Sequence, residues 1–154
     1  MTIEDTQPGP IKLRIRTPVA TVVDAAVHSV VLPGLEGDFT ALHEHHDTVA
    51  QLRDGIGEYA VEKHKEYLSI LGGVATVRHD EVEVLSPVCE LGRDLDEQRA
   101  EAARQRAEER LADQQQGIDV ARAQAALGRA LLRLEVVKLS RRRQVLDAPE
   151  APTT

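Results

Sequence analysis

Near Arg93 the periodicity of the chain changes from two residues to between three and four, so it must be assembled from two differently built parts. Up to about Glu90 apolar and polar residues alternate. "IKLRIRT" sets Ile11, Leu13 and Ile15 against Lys12, Arg14 and Arg16, the pattern of a half-buried strand. "VATVV", "AVHSVVLPG", "IGEYAVEKH", "YLSILGG", "VATVRHD" and "EVEVLSP" follow, each a short run closed by turn chemistry, with Gly72-Gly73 and His79-Asp80 the clearest turns. Closely spaced strands of this kind predict a sandwich or barrel of short antiparallel strands over residues 1–91, not βαβ units.

After Arg93, "DLDEQRAEAARQRAEERLAD" has no β-branched residue and is dominated by strong helix formers. Asp94 stands where an N-cap belongs, with Glu97 three positions on. Gly117 breaks the helix and Asp119 caps a second one. There Val120, Leu127 and Leu134 recur every seven residues, as do Ala123, Ala130 and Val137, giving one apolar seam. The expectation is an antiparallel two-helix hairpin over residues 92–143, each rod about 30 Å long. The first helix offers Ala100, Ala103, Ala107 and Leu111, which bury little area and hold the pair weakly. Such a hairpin is either a two-state element or a permanently packed accessory, and composition slightly favours the second. Residues 144–154, with their prolines, read as a disordered tail.

The core must come from Val, Leu, Ile and Ala, because aromatics are 2% of the chain and tryptophan is absent. A net charge of −7 argues against general affinity for nucleic acid or anionic lipid. Cys89 is the single cysteine, so no intramolecular disulfide forms and a reducing compartment is expected. No stretch approaches the roughly 18 apolar residues of a membrane span, and the acidic N-terminus fits neither a secretory signal nor a transit peptide. These features predict a soluble, intracellular protein.

"ALHEHHDTV", residues 41–49, concentrates His43, His45 and His46 beside Glu44 and Asp47. A zincin needs His-Glu-x-x-His on a helix, and the last position here is Asp47. On a strand His43 and His45 would share a face while His46 points away, leaving two ligands where structural zinc takes four. His28, His64 and His79 read as isolated residues.

"LGGVATVRHDEVEVL", the "DLDEQRA" helix start and the spacing of "PVATVVDAAVHSVVLPGLEGDF" together resemble the epsilon subunit of the bacterial F-type rotary ATP synthase, over about residues 11–143. The resemblance implies a non-catalytic central-stalk subunit that couples the gamma subunit to the membrane rotor ring of c subunits. It places the chain at the cytoplasmic face of the inner membrane, without nucleic acid and without membrane insertion of its own. His45 falls on a histidine of the family's stalk-facing loop, so His43 and His45 are expected in an interface, not a metal cage. The family's hairpin permits hydrolysis when compact. Extended along gamma, it obstructs the catalytic alpha/beta hexamer; a basic face of Arg99, Arg104, Arg106, Arg122, Arg129, Arg133 and Arg141–Arg143 suits that posture.

Some members also bind ATP through Ile/Leu-Asp-x-x-Arg-Ala, matched here by Leu95, Asp96, Arg99 and Ala100, with Glu90, Arg106, Arg129 and Arg133 at further matching positions. Asp96 and Glu90 would accept from the adenine amine or ribose while the arginines fork onto phosphate oxygens. No cofactor is required, regulatory ATP is the expected ligand, and without a phosphate loop no hydrolysis is expected. Two other readings stand beside this one. One is a free-standing nucleotide-sensing or adaptor module. The other is a metal-dependent enzyme using residues 43–47, for which the sequence supplies no nucleophile–base pair.

Overall fold

The computed structural model describes residues 10–113, 117 and 119–146, with only the backbone of 144–146. The chain divides into two compact units, Met1–Cys89 and Glu90–Thr154.

The first unit is an open β-sandwich. Its strands are β1 (Ile11–Arg16), β2 (Thr21–Val27), β3 (Ser29–Gly34), β4 (Gly37–Ala41), β5 (His45–Val61), β6 (His64–His79) and β7 (Glu81–Leu85), in the order β2-β1-β7-β6-β5-β3-β4. The alternation read in β1 is the observed one: Ile11, Leu13 and Ile15 are buried. Two features depart from a set of short antiparallel strands. β1 lies parallel to β7, and β5 and β6 run for 17 and 16 residues.

Gly72-Gly73, expected as a turn between strands, instead lies within β6. Both glycines have positive φ, +70° and +119°, while their partners on β5 stay in register, Leu52 with Gly73 and Asp54 with Leu71. The buried set changes parity there. Leu68 and Ile70 point inward before the glycines, Ala75 and Val77 after them. On β5 the same switch separates Leu52 from Tyr59. Because side chains alternate faces along a strand, a parity change in two paired strands marks where the sheet folds over to become both layers of the sandwich. The glycines supply a bend in a continuous strand pair. His79-Asp80 does form the expected turn, between β6 and β7, with His79 at φ 50°.

A short strand, β8 (Cys89–Leu91), spans the division between the units, and Cys89 is buried. In the second unit a 3-10 turn (Gly92–Asp94) leads to α1 (Glu97–Ala112) and α2 (Val120–Leu146). The first cap falls two residues later than the sequence predicted. Asp96 is the N-cap, its carboxylate accepting the Arg99 N–H at 3.1 Å, and Asp94 belongs to the 3-10 turn. Asp119 caps α2 as expected, accepting the Arg122 N–H at 3.0 Å. Ala100 and Ala107 of α1 and Ala123, Ala130, Val136 and Val137 of α2 are buried, whereas Val120, placed in the seam by its spacing, is 54% exposed. An ion pair between Arg141 late in α2 and Glu97 at the start of α1, 2.6 Å, reflects the antiparallel sense. α2 takes in residues 144–146, which the sequence reading gave to the tail; the rest of that tail lies outside the described residues.

Candidate functional site

A cleft of about 470 Å³ opens within the second unit. Next to it the 3-10 turn packs closely on α2: a Cβ at Gly92 would lie 2.9 Å from Val136 Cγ1 and 3.1 Å from Ser140 Cβ. Only hydrogen fits there. One wall is α1, where the helical repeat brings Arg99, Ala103 and Arg106 to one face, seven residues spanning about two turns. Alanine at 100, 102 and 103 keeps this wall low, so the space between the guanidinium groups is not filled by side chains. Glu90 of β8 and Arg133 of α2 line the cleft from the other side, and Asp94, Leu95 and Asp96 complete it.

Seven of the eight residues expected to contact a nucleotide line this space: Glu90, Leu95, Asp96, Arg99, Ala100, Arg106 and Arg133. Arg129 does not. It sits one turn nearer the loop, about 6 Å along α2 from Arg133. Asp94, Ala102 and Ala103 line the cleft without having been assigned to it. Asp94 with Glu97 carries a capping signature, but Asp96 offers a competing start and is the residue whose side chain accepts the Arg99 N–H.

Charged side chains in the cleft are equal in number, with Arg99, Arg106 and Arg133 against Glu90, Asp94 and Asp96. They are not equally engaged. Arg133 Nε donates to Glu90 Oε2 at 2.6 Å, and Asp96 is committed to its helix cap. Arg99 and Arg106 form no ion pair among the described residues. Two uncommitted guanidinium groups over an open space with a low alanine wall suit a polyanion, because guanidinium forks match the oxygens of phosphate or carboxylate.

The histidine segment is built otherwise. His43 lies in the turn between β4 and β5, where Glu44 has φ 60°. His43 Nδ1 is 2.7 Å from Asp80 Oδ1, and Asp80 also accepts the Glu44 N–H at 3.3 Å. Asp47 accepts the His79 N–H at 3.2 Å, while His45 Nδ1 is 2.7 Å from His46 O. The carboxylates thus tie two neighbouring turns together. Among the described residues no three His, Cys, Asp or Glu side chains are placed to hold a metal ion. No helix among them is long and apolar enough to cross a membrane.

Comparison with known proteins gives the context. The family description "ATP synthase, Delta/Epsilon chain, beta-sandwich domain" matches residues 10–92, and "ATP synthase, Delta/Epsilon chain, long alpha-helix domain" matches residues 93–138. The ATP synthase epsilon chain of Syntrophobacter fumaroxidans is 41% identical over 83% of this chain and 96% of its own. That of Bacillus licheniformis is 36% identical over 83% and 98%. Among solved structures, a chain of the Euglena gracilis mitochondrial ATP synthase (OSCP/F1/c-ring, rotational state 1) superposes with a TM-score of 0.67 at 21% identity, covering 90% of this chain and 86% of that one, which supports the fold. With both halves matched in order and relatives aligned nearly end to end, the chain belongs to the ATP synthase epsilon-chain family, whose members are non-catalytic subunits of that complex.

Proposed function

We propose that the chain works in the central stalk, with the β-sandwich docked on the gamma subunit and the rotor ring at the cytoplasmic face of the inner membrane, and with the helical hairpin regulating ATP hydrolysis. In this reading the compact hairpin takes ATP in the cleft between α1, β8 and α2, and ATP opposes the extended, inhibitory posture against the alpha/beta hexamer. The observation that carries it is the convergence of Arg99, Arg106 and Arg133 on one open cleft beside Asp94 and Asp96.

Magnitudes agree. The helix seam consists largely of alanine, with Val136 and Val137 the larger buried members. Ligand at 100 times its dissociation constant stabilises the form that binds it by about 2.7 kcal/mol. A seam of that kind supplies a comparable amount, so occupancy can set the posture.

Calorimetric titration of the full chain with ATP tests the proposal. Saturable one-to-one binding below millimolar ATP is expected, with Arg106→Ala weakening it about tenfold or more through loss of a charge-assisted contact. No heat at millimolar ATP overturns the nucleotide reading while leaving the stalk role to be tested by co-purification with gamma.

A further inference from the structure

Glu90 and Arg133 meet across the cleft, from β8 and from the middle of α2, 43 residues apart in sequence. The guanidinium atom that donates to Glu90 Oε2 is Nε, at 2.6 Å. Side-chain exposures of 25% for Arg133 and 35% for Glu90 place the pair at the cleft wall, where solvent screening is incomplete. An arginine held through Nε still has four N–H groups on its two Nη atoms, in the fork that matches phosphate oxygens.

We propose that Glu90 is a positioning residue: it fixes Arg133 so that the Nη groups serve a polyphosphate ligand, and it does not itself read the base or sugar. This rests on the cleft being the nucleotide site. Two other roles conflict with the geometry. A carboxylate anchored through Oε2 by a short, charge-assisted bond takes its orientation from Arg133, and a neutral amine or hydroxyl is too poor a partner to reorient it. A pure competitor for the phosphates would have to occupy the Nη fork, and the contact is at Nε. Fixing a long, rotamer-rich side chain before the ligand arrives lowers the ordering cost of binding.

The test compares ATP with inorganic tripolyphosphate, which has the charge but no base or ribose, on the full chain and on Glu90→Ala, Glu90→Gln, Arg133→Ala and the double alanine variant. Glu90→Ala is expected to weaken both ligands about tenfold and by the same factor. Glu90→Gln keeps an acceptor for Nε–H and is expected to stay within about twofold of the unaltered chain for both. In the Arg133→Ala background, Glu90→Ala is expected to have no further effect. Weakening of ATP alone, with tripolyphosphate unchanged, assigns Glu90 to the base or ribose and overturns the inference. Tighter binding of both ligands by Glu90→Ala makes it a competitor and overturns it as well. If the unaltered chain binds neither ligand, the nucleotide reading itself fails, and the inference falls with it; binding of ATP with either adverse pattern sinks the inference alone. Far-ultraviolet circular dichroism of each variant shows whether the hairpin is retained, and a Glu90→Gln variant that keeps its helicity yet loses affinity as far as Glu90→Ala also overturns it.

Discussion

Arg104 sits between Glu101 and Glu108 on α1 and bonds to both, reaching Glu108 at 2.5 Å. The hydrogen bond from Arg104 holds the Glu101 carboxyl below its ordinary value of 4.5, against the opposing pull of desolvation. A depressed carboxylate pKa means that the pair's contribution is present above the unfolded value and is lost as pH falls through the folded one. Carbon-detected NMR titration should therefore find Glu101 ionising below 4.5, and Arg104→Ala should return it towards that value. The Lys65 amine has the opposite sign. A hydrogen bond from Lys65 to Glu58, 2.8 Å away, raises its pKa above 10.5, so that contribution is complete at neutral pH and fades only in strong alkali. Gly73 is a stricter constraint than either pair. At φ +119° an L side chain is strained, and its Cβ would run into the Leu85 carbonyl oxygen and, at 2.9 Å, Ser86 Cα. Gly73→Ala should cost roughly 2–4 kcal/mol in urea unfolding of the sandwich, because backbone cannot give way as a side-chain tip can.

At the scale of elements, the 3-10 turn and α2 act as one joint. Gly92 lies under Val136 and Ser140, both buried, and the Ser140 hydroxyl could rotate aside while Val136 Cγ1 and Ser140 Cβ could not. Gly92→Ala should lift α2 from the turn at a cost of about 1–3 kcal/mol, an overpacking penalty. Faster amide exchange along α2, with β5 and β6 unchanged, is the expected reading; unchanged exchange in α2 would show that the joint absorbs a methyl. The Arg141–Glu97 pair is more exposed, at 61% and 41%, so Arg141→Ala should cost well under about 1 kcal/mol. Basic residues on the hairpin thus divide by partner: Arg104 is tied within α1, Arg133 and Arg141 across elements, and Arg99 and Arg106 are left to the cleft.

For the whole molecule, the two units rest on different kinds of core. Leu, Ile and Val fill the sandwich, with Ile11, Leu13, Ile15, Leu32, Leu68 and Ile70 at 1% exposure or less. The hairpin depends on alanines and two valines. Burial per residue differs by the difference between those side chains, about 0.8 kcal/mol per methylene. Heating should therefore melt the hairpin first. Both tyrosines, Tyr59 and Tyr67, lie in β5 and β6, so their fluorescence reports the sandwich alone. Ellipticity at about 222 nm, dominated by helix, should fall before the tyrosine signal changes, and saturating ATP should narrow the gap by mass action. Coincident transitions without ligand would refute the separation.

Periodicity announced two differently built parts, the faces of β1 and most of the helix seam, and capping chemistry announced Asp119, because alternation, heptad spacing and caps are local properties of the backbone. The cleft-lining residues at 90, 95, 96, 99, 100, 106 and 133 were legible through resemblance to a family motif, since each matched by position and type. What tertiary structure decided is everything that depends on a distant neighbour. Gly72-Gly73 became a bend within β6 because β5 stays paired across it. Asp94 gave up the cap to Asp96 in a turn that packs on α2, and Glu90 met Arg133 from 43 residues away. A local pattern states which conformations a segment can adopt; only the fold, by choosing which segments share a surface, states which groups are left to bind.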